Sequence, residues 1–287
     1  MIHKQTTEDT KRHILVRKAS GDEEKFETYK LERSLRNAGA DNDLVQDIVK
    51  NIAEWITSGL TTKKIYARAF SLLRKTETGV AVRYKLKQAI MELGPSGYPF
   101  EDFIGYLFEK QGYKVEVGQI IEGHCVTHEM DVIATDKKIQ HLVECKYSRD
   151  QGKQISVQVP LYVRSRVDDI IKKRKESPDY ADISFSGWVV TNTRFSADSL
   201  QYGKCSGLHM LAWDYPHGNG LKDLIERLQI YPITILIQLT IKEKQQLINQ
   251  GVVVCNQIYN NPDILDSMQL ANAKYNALLK EVNDICS

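Results

Sequence analysis

The run Gly94-Pro95-Ser96-Gly97-Tyr98-Pro99 is the feature that most constrains how this chain folds. Its prolines remove backbone donors and its glycines loosen the backbone, so no regular helix continues through it. With 287 residues, the chain has room for two modest domains rather than one small one. The patterns on the two sides of the break differ. Upstream, apolar residues recur every three or four positions, as in Leu44, Ile48, Ile52, Trp55 and Ile56. This spacing predicts helices over 28–38, 43–58, 61–76 and 80–93. Ahead of them, 14–19 and 24–27 read as a short hairpin turning at Ser20-Gly21-Asp22.

Downstream, a helix over 100–111, capped by Gly112, precedes strands at 113–117, 130–135 and 140–147. Asp136-Lys137-Lys138 is the turn between the last two. A helix at 157–175, a strand at 185–191, a helix at 196–203, a strand at 209–213 and a helix at 221–228 complete the pattern. The expected architecture is α+β or α/β. It has a mostly helical domain over 1–93, an α/β core with a mixed sheet over 94–228, and a helical segment over 229–287.

Composition excludes several classes. Hydrophobic residues make up 42% and charged residues 26%, enough apolar mass for packed cores and unlike a disordered or fibrous chain. The longest apolar-rich run, 231–239, is well short of the roughly 20 residues of a membrane span. Residues 1–13 are polar and lack the apolar stretch of a signal peptide. The five cysteines, at 125, 145, 205, 255 and 286, are scattered and odd in number, which fits reduced thiols. A cytoplasmic protein with no membrane partner is expected. The net charge of +2 divides into +5 over 1–93, −2 over 94–228 and −1 over 229–287. Bulk charge therefore gives no argument for nucleic acid, and a specific site has to supply one.

That site is sought in Glu129-Met130-Asp131-Val132-Ile133-Ala134 and His141-Leu142-Val143-Glu144-Cys145-Lys146-Tyr147. Alternate residues of a strand share a face, so Glu144 and Lys146 point one way and Cys145 the other. A hairpin brings Asp131 beside Glu144. Two carboxylates with a peptide carbonyl, that of Cys145, make a hard oxygen site suited to Mg²⁺ or Mn²⁺. Lys146 next to it is placed to handle a water or the charge on a phosphate. The alternative reading is a half-solvated edge strand, but both acids sit inside apolar runs, where unpaired charge is costly.

These residues resemble the PD-(D/E)XK nuclease superfamily, in the variant of Mrr-type restriction endonucleases. Phe100-Glu101 and Gly112-Tyr113-Lys114-Val115 match the opening helix and strand of that pattern. Asp131-Val132-Ile133-Ala134 matches its aspartate strand, and Glu144-Cys145-Lys146 its acid-x-Lys strand. The likeness spans about 97–228. It implies that Asp131 and Glu144 hold the metal, that Lys146 is the catalytic lysine, and that Glu101 and Gln158 support them. The sequence departs from the family at His124-Cys125-Val126-Thr127-His128-Glu129, where a glycine-rich approach is usual. There Glu129 is a further candidate for the metal. His124, Cys125 and His128 read either as the rim of the cleft or as a zinc site short of a fourth ligand. Arg164, Arg166, Lys172, Lys173, Arg174 and Lys175 read either as a solvated basic face or as a phosphate-tracking surface.

Upstream, Val16-Arg17-Lys18, Gly21, Phe26 and Lys30-Leu31 resemble the opening of the ATP-cone, a nucleotide-binding regulatory module, over about 12–92. The resemblance implies ATP or dATP held by Arg17, Lys18, Phe26, Lys30, Arg33, Thr61 and Arg83, with Ser34 and Thr62 nearby. A helical DNA-binding or dimerisation domain is the other reading. There is no G-x-x-x-x-G-K-[ST] loop, so the triphosphate is expected as an effector rather than as fuel. The tail, with Gly251 between helical stretches, is expected to cap the core or to meet a second copy.

Together these readings predict a nucleotide-regulated, Mg²⁺-dependent DNA endonuclease of the restriction or defence kind, acting as a homo-oligomer. The alternatives are a structure-selective nuclease such as a Holliday-junction resolvase, and a non-catalytic nucleotide-switched module that binds DNA or oligomerises.

Overall fold

The computed structural model describes residues 14–18, 21–150 and 152–286, so the turn residue Ser20 and residues 1–13 lie outside the description. The chain divides into two compact units, Met1–Lys85 and Leu86–Ser287. In the first, β1 (Leu15–Arg17) and β2 (Glu23–Lys25) pair antiparallel, with Val16 opposite Glu24. Helices α1 (Thr28–Asn37), α2 (Asn42–Trp55), α3 (Thr62–Thr76) and α4 (Thr78–Tyr84) come next. The Asp41 side chain accepts the Leu44 N–H (2.8 Å) and the Thr61 hydroxyl the Lys64 N–H (3.3 Å), so the first turns of α2 and α3 each have a side-chain partner for one of their free donors. Leu35, Val45, Ile52, Ala69 and Leu73, at the periodic positions, form the fully buried core.

The predicted helix over 80–93 is two helices. The first ends at Tyr84, and α5 (Leu86–Met91) belongs to the second unit. The unit boundary therefore lies at 85/86 and not at 93/94, because 86–93 is hydrogen-bonded to the second unit's core. The Ala89 carbonyl accepts the Thr234 hydroxyl (2.6 Å) and the Met91 carbonyl the Tyr147 hydroxyl (2.7 Å). The first of these contacts also joins the expected third domain, 229–287, to the core, and no separate third unit forms. Gly94 has its own reason: it donates its N–H to the Tyr147 hydroxyl (2.8 Å), and a Cβ there would lie 2.7 Å from the Tyr147 ring.

After the break come α6 (Tyr98–Glu109), β3 (Lys114–Glu122), β4 (Thr127–Thr135), β5 (Ile139–Lys146), β6 (Gln154–Ile155), α7 (Gln158–Arg174), β7 (Ser184–Thr191), β8 (Arg194–Phe195), α8 (Ala197–Ser206), β9 (His209–Leu211) and α9 (Leu221–Leu228). The sheet order is β3-β4-β5-β7-β9, with β6 and β8 as a separate ribbon. The first three strands run antiparallel, and β5, β7 and β9 run parallel, joined by helical crossovers as parallel neighbours require. The architecture is α+β with a mixed five-stranded sheet, as the sequence predicts. Gly112 has φ +95° just past α6, and Asp136 Oδ1 accepts the N–H groups of Lys138 (2.7 Å) and Ile139 (2.8 Å) in the β4–β5 turn. The β6–β8 ribbon and the outer halves of β3 and β4 are additions to the predicted pattern.

The two faces of the sheet are distinct. His141 on β5 and Trp188 on β7 meet Phe108 of α6, each at 5.7 Å between ring centroids. Leu142 and Val189 pack instead with Val163, Val167 and Ile170 of α7. Glu144 and Lys146 share the Leu142 side of β5, so they face α7. The tail closes the unit with α10 (Ile241–Asn249), α11 (Cys255–Asn260) and α12 (Asn272–Cys286). Buried Glu281 accepts the N–H groups of Ile237 (2.7 Å) and Gln238 (3.0 Å). Among the described residues, no helix is long and apolar enough to cross a membrane.

Candidate active site

The β4–β5 register pairs Val132 with Val143, which sets Asp131 beside Glu144. Asp131 Oδ2 accepts the Cys145 N–H at 2.6 Å, so the aspartate is fixed by the neighbouring strand's backbone. Glu144 is only 3% exposed. Its Oε1 accepts from Lys146 Nζ (2.6 Å) and the Tyr162 hydroxyl (2.8 Å), and its Oε2 from Arg166 Nη1 (2.6 Å). A second Arg166 nitrogen donates to the Glu129 carbonyl. The Tyr162 ring lies 5.8 Å from Lys146 Nζ and 5.9 Å from the Arg166 guanidinium carbon.

The charges here are strained against one another. Burial, together with the Glu144 charge, raises the Asp131 carboxyl to about 6. Burial also raises Glu101, to about 7, with Asp131, Asp102 and Glu129 adding to it. Burial pulls Lys146 down, but the Glu144 carboxylate more than offsets this and holds the ammonium above its usual range. Lys146 is therefore a fixed positive charge near neutral pH. It suits stabilisation of phosphate charge better than removal of a proton from water.

The donor set matches a hard divalent cation in kind: carboxylates crowded enough to repel each other, relieved by positive charge. As they stand, no three His, Cys, Asp or Glu side chains among the described residues converge as a metal group. The side-chain geometry explains why. The Glu144 oxygens already serve Lys146, Tyr162 and Arg166, and Cys145 offers only its backbone, its thiol being buried and pushed well up by burial. Asp131 and Glu144 would hold the cation, with Glu144 exchanging the Arg166 contact for it.

Of the other expected residues, Glu101 lies near enough to Asp131 for their charges to interact, while Gln158 is exposed at the first position of α7. Tyr162 and Arg166 succeed Gln158 at four-residue steps on that helix and supply contacts that no strand motif announces. The basic cluster is partly paired internally: Arg164 with Asp168, Lys173 with Glu176, and Arg174 over the Tyr180 ring. His124, Cys125 and His128 do not form a zinc set. His124 meets Glu176 (2.9 Å) and His128 meets Asp169 (2.8 Å). The stretch read as an atypical approach loop is the tip of the β3–β4 hairpin.

In the first unit, a cavity of about 170 Å³ is lined by Phe26, Lys30, Ser34, Thr62, Tyr66 and Tyr84 among others. It gathers Phe26 and Lys30 but not the rest of the expected set. Arg17 and Arg33 are exposed and do not line it, and Lys18 pairs with Glu24 at 2.8 Å. Thr61 is spent on capping α3, and Arg83 Nε donates to the Ala38 carbonyl (2.8 Å) at the end of α1. Lys30 itself pairs with Glu27 (2.8 Å) and Glu24 (3.2 Å). Tyr66 and Tyr84 stack at 4.5 Å, a pairing that no sequence motif marks.

Residues 231–286 match the family described as AF1548-like, C-terminal. An uncharacterized protein of Archaeoglobus fulgidus is 29% identical over 152 residues, covering 53% of this chain and 81% of the relative. The solved structure titled as a protein of unknown function, AF1548, superposes with a TM-score of 0.54 at 25% identity, over 67% of this chain and 98% of that one.

Proposed function

We propose that the second unit is a metal-dependent DNA endonuclease of the PD-(D/E)XK kind, and that the first senses a nucleoside triphosphate in the manner of an ATP-cone. The observation that carries the nuclease reading is the placement of Asp131, in the middle of β4, beside Glu144 and Lys146 at the C-terminal end of β5, with both acids desolvated and the lysine held charged. A divalent cation, Mg²⁺ or Mn²⁺, would supply charge neutralisation and an activated water. Lys146 holds its proton and presents fixed positive charge to the phosphate, and Tyr162 keeps the lysine and Glu144 in line. Arg166, released from Glu144, is a second cation for the DNA backbone. Asp131→Ala, Glu144→Ala and Lys146→Ala each remove cleavage while far-UV circular dichroism persists; cutting near wild-type rates by all three defeats the reading.

One observation favours a second reading. The Glu144 carboxylate is saturated by three side-chain donors, as in a structural ion-pair network. On that reading the unit binds DNA without turnover, and Mg²⁺ leaves its thermal stability unchanged. The support for nucleotide sensing is the cavity at Phe26 and Lys30 beside the stacked tyrosines. The restriction or defence role, the cytoplasmic setting and homo-oligomerisation belong to the same proposal.

A further inference from the structure

The side of α7 that faces the acids does not end at Arg166. Tyr162, Arg166 and Asp169 recur at steps of four and three, which keeps them in one stripe along α7, and Glu176 follows in the turn just past the end of the helix. The second half of that stripe holds the hairpin tip. Asp169 accepts from the Cys125 N–H (2.9 Å), the Val126 N–H (3.3 Å) and the His128 ring (2.8 Å), and its own carbonyl accepts the His124 N–H (3.0 Å). Glu176 takes the His124 ring at 2.9 Å. Gly123 makes the approach possible, since a Cβ there would collide with the Asp169 carboxylate and lie 2.6 Å from the Val126 carbonyl. The Asp169 and His128 side chains are 14% and 11% exposed.

This clamp has a direct line to the acids. His128 precedes Asp131 by three residues on β4, and Arg166 on α7 grips both the Glu129 carbonyl between them and Glu144 on β5. The helix thus pins β4 at two adjacent points, the His128 ring and the Glu129 carbonyl, and pins β5 at Glu144. β4 pairs with β5 only from Val132 onward, with the Cys145 N–H reaching Asp131 Oδ2 beside that pairing. Its earlier residues pair with β3, and the contacts from α7 tie that two-stranded arm to the helix and help hold Asp131 in its place. Asp169 carries its negative charge stably, since the His128 hydrogen bond and the Cys125 and Val126 donors hold its carboxyl well below the usual range.

We propose that Asp169 is a positioning residue, clamping the β3–β4 hairpin to α7 through Cys125, Val126 and His128 so that Asp131 is held at the separation from Glu144 that metal binding needs. The inference rests on the nuclease reading but goes beyond the Asp–Glu–Lys set. Groups that hydrogen-bond a metal ligand directly typically change metal affinity or activity by about 10–100-fold when removed. Asp169 works one contact further out, so Asp169→Ala is expected to weaken Mg²⁺ binding, measured by calorimetry, by about tenfold, the low end of that range. It also lowers kcat for plasmid cleavage by about tenfold, with KM for DNA within twofold. Asp169→Asn, which keeps one acceptor oxygen, recovers part of both.

Whether the clamp has opened is read without turnover. The His124 amide, bonded to the Asp169 main-chain carbonyl and not to its carboxylate, exchanges with deuterium faster in Asp169→Ala than in the parent. Faster exchange at His124 with unchanged Mg²⁺ affinity overturns the positioning role, because the hairpin is then loose and the acids are unaffected. Equal loss of Mg²⁺ affinity in Asp169→Ala and Asp169→Asn, together with a cooperative melting point lowered by more than about 10 °C in both, also overturns it in favour of simple unfolding. Mg²⁺ binding by the wild type without cleavage of any DNA defeats the nuclease reading alone, and the affinity ratio still decides the role of Asp169. No Mg²⁺ binding by the wild type overturns both.

Discussion

Arg166 Nη1 lies 2.6 Å from Glu144 Oε2, joining α7 to β5 by a charge-assisted hydrogen bond at a carboxylate that is 3% exposed. A carboxylate so deeply placed depends on its donors, because water cannot replace them. Arg166→Ala leaves Oε2 without its side-chain donor. The expected cost is about 2–3 kcal/mol, less than for a fully buried pair because Arg166 keeps 23% exposure. For a unit of this size that lowers Tm by roughly 5–10 °C. The double variant Glu144→Gln/Arg166→Met should lose less than the sum of its parts, since the two residues share one interaction. Strictly additive losses, measured by thermal melts, contradict the coupling.

The raised carboxyls give a pH signature. Glu101, at about 7, and Asp131, at about 6, hold protons more tightly folded than unfolded. Their contribution to stability is therefore fully present below about pH 4 and is lost as pH rises through 6 to 7. Glu101→Gln removes the repulsion. It should raise Tm by about 2–4 °C at pH 7.5 and leave it unchanged near pH 4.5, the half-exposed site limiting the gain to about 1 kcal/mol. A shift of equal size at both pH values contradicts this assignment.

Metal binding has the opposite slope. On the proposed nuclease reading a cation competes with protons on Asp131 and Glu101, so Mg²⁺ affinity should climb steeply between pH 5.5 and 7.5 and then level. Calorimetric titrations across that range test it. In Glu101→Gln the steep region narrows toward the pH at which Asp131 alone titrates. A flat profile in the wild type would falsify the claim that these two carboxyls face the cation.

In the first unit, Lys30 and Arg83 should separate cleanly. Lys30→Ala, at the cavity, is expected to weaken ATP or dATP binding about tenfold with little change in Tm, since its own ion pairs are exposed. Arg83→Ala removes the donor to the Ala38 carbonyl and should lower stability by about 1–2 kcal/mol without changing nucleotide affinity. Loss of binding in Arg83→Ala alone, measured by calorimetry, reverses the assignment.

How much of the fold and site is legible in the residues differs from place to place. The acids of β4 and β5 are, because strand alternation and a short Asp136 turn leave a single register that buries Val132 and Val143. The length of the β3–β4 hairpin is not, since Gln119, Glu122, Thr127 and Glu129 are polar on an exposed arm and give no apolar alternation to read. Tyr162, Arg166 and Asp169 are hidden for another reason. Their stripe is polar, and its partners are 18 to 44 residues away in the chain. The reason for Gly123 is likewise visible only in the fold: its φ is not positive, and its Cβ space is taken by the Asp169 carboxylate. The boundary at 85/86 is masked because the Gly94–Pro99 break is louder than the break between α4 and α5, yet it serves the packing of Tyr147 rather than a division between units. Thr61 and Arg83 fit a binding pattern by type, but each is occupied by a local backbone group that only the fold reveals.

The most direct measurement is cleavage of plasmid DNA by wild-type protein and Lys146→Ala, with Mg²⁺ and with EDTA, each with and without ATP or dATP. Lys146 is a charged contact to Glu144 at 2.6 Å with a third of its side chain exposed, so its removal should leave the fold intact. The account predicts Mg²⁺-dependent nicking by the wild type, reduced at least 100-fold in the variant, with a rate that changes when nucleotide is added. Equal cutting by both proteins, or cutting that persists in EDTA, contradicts it.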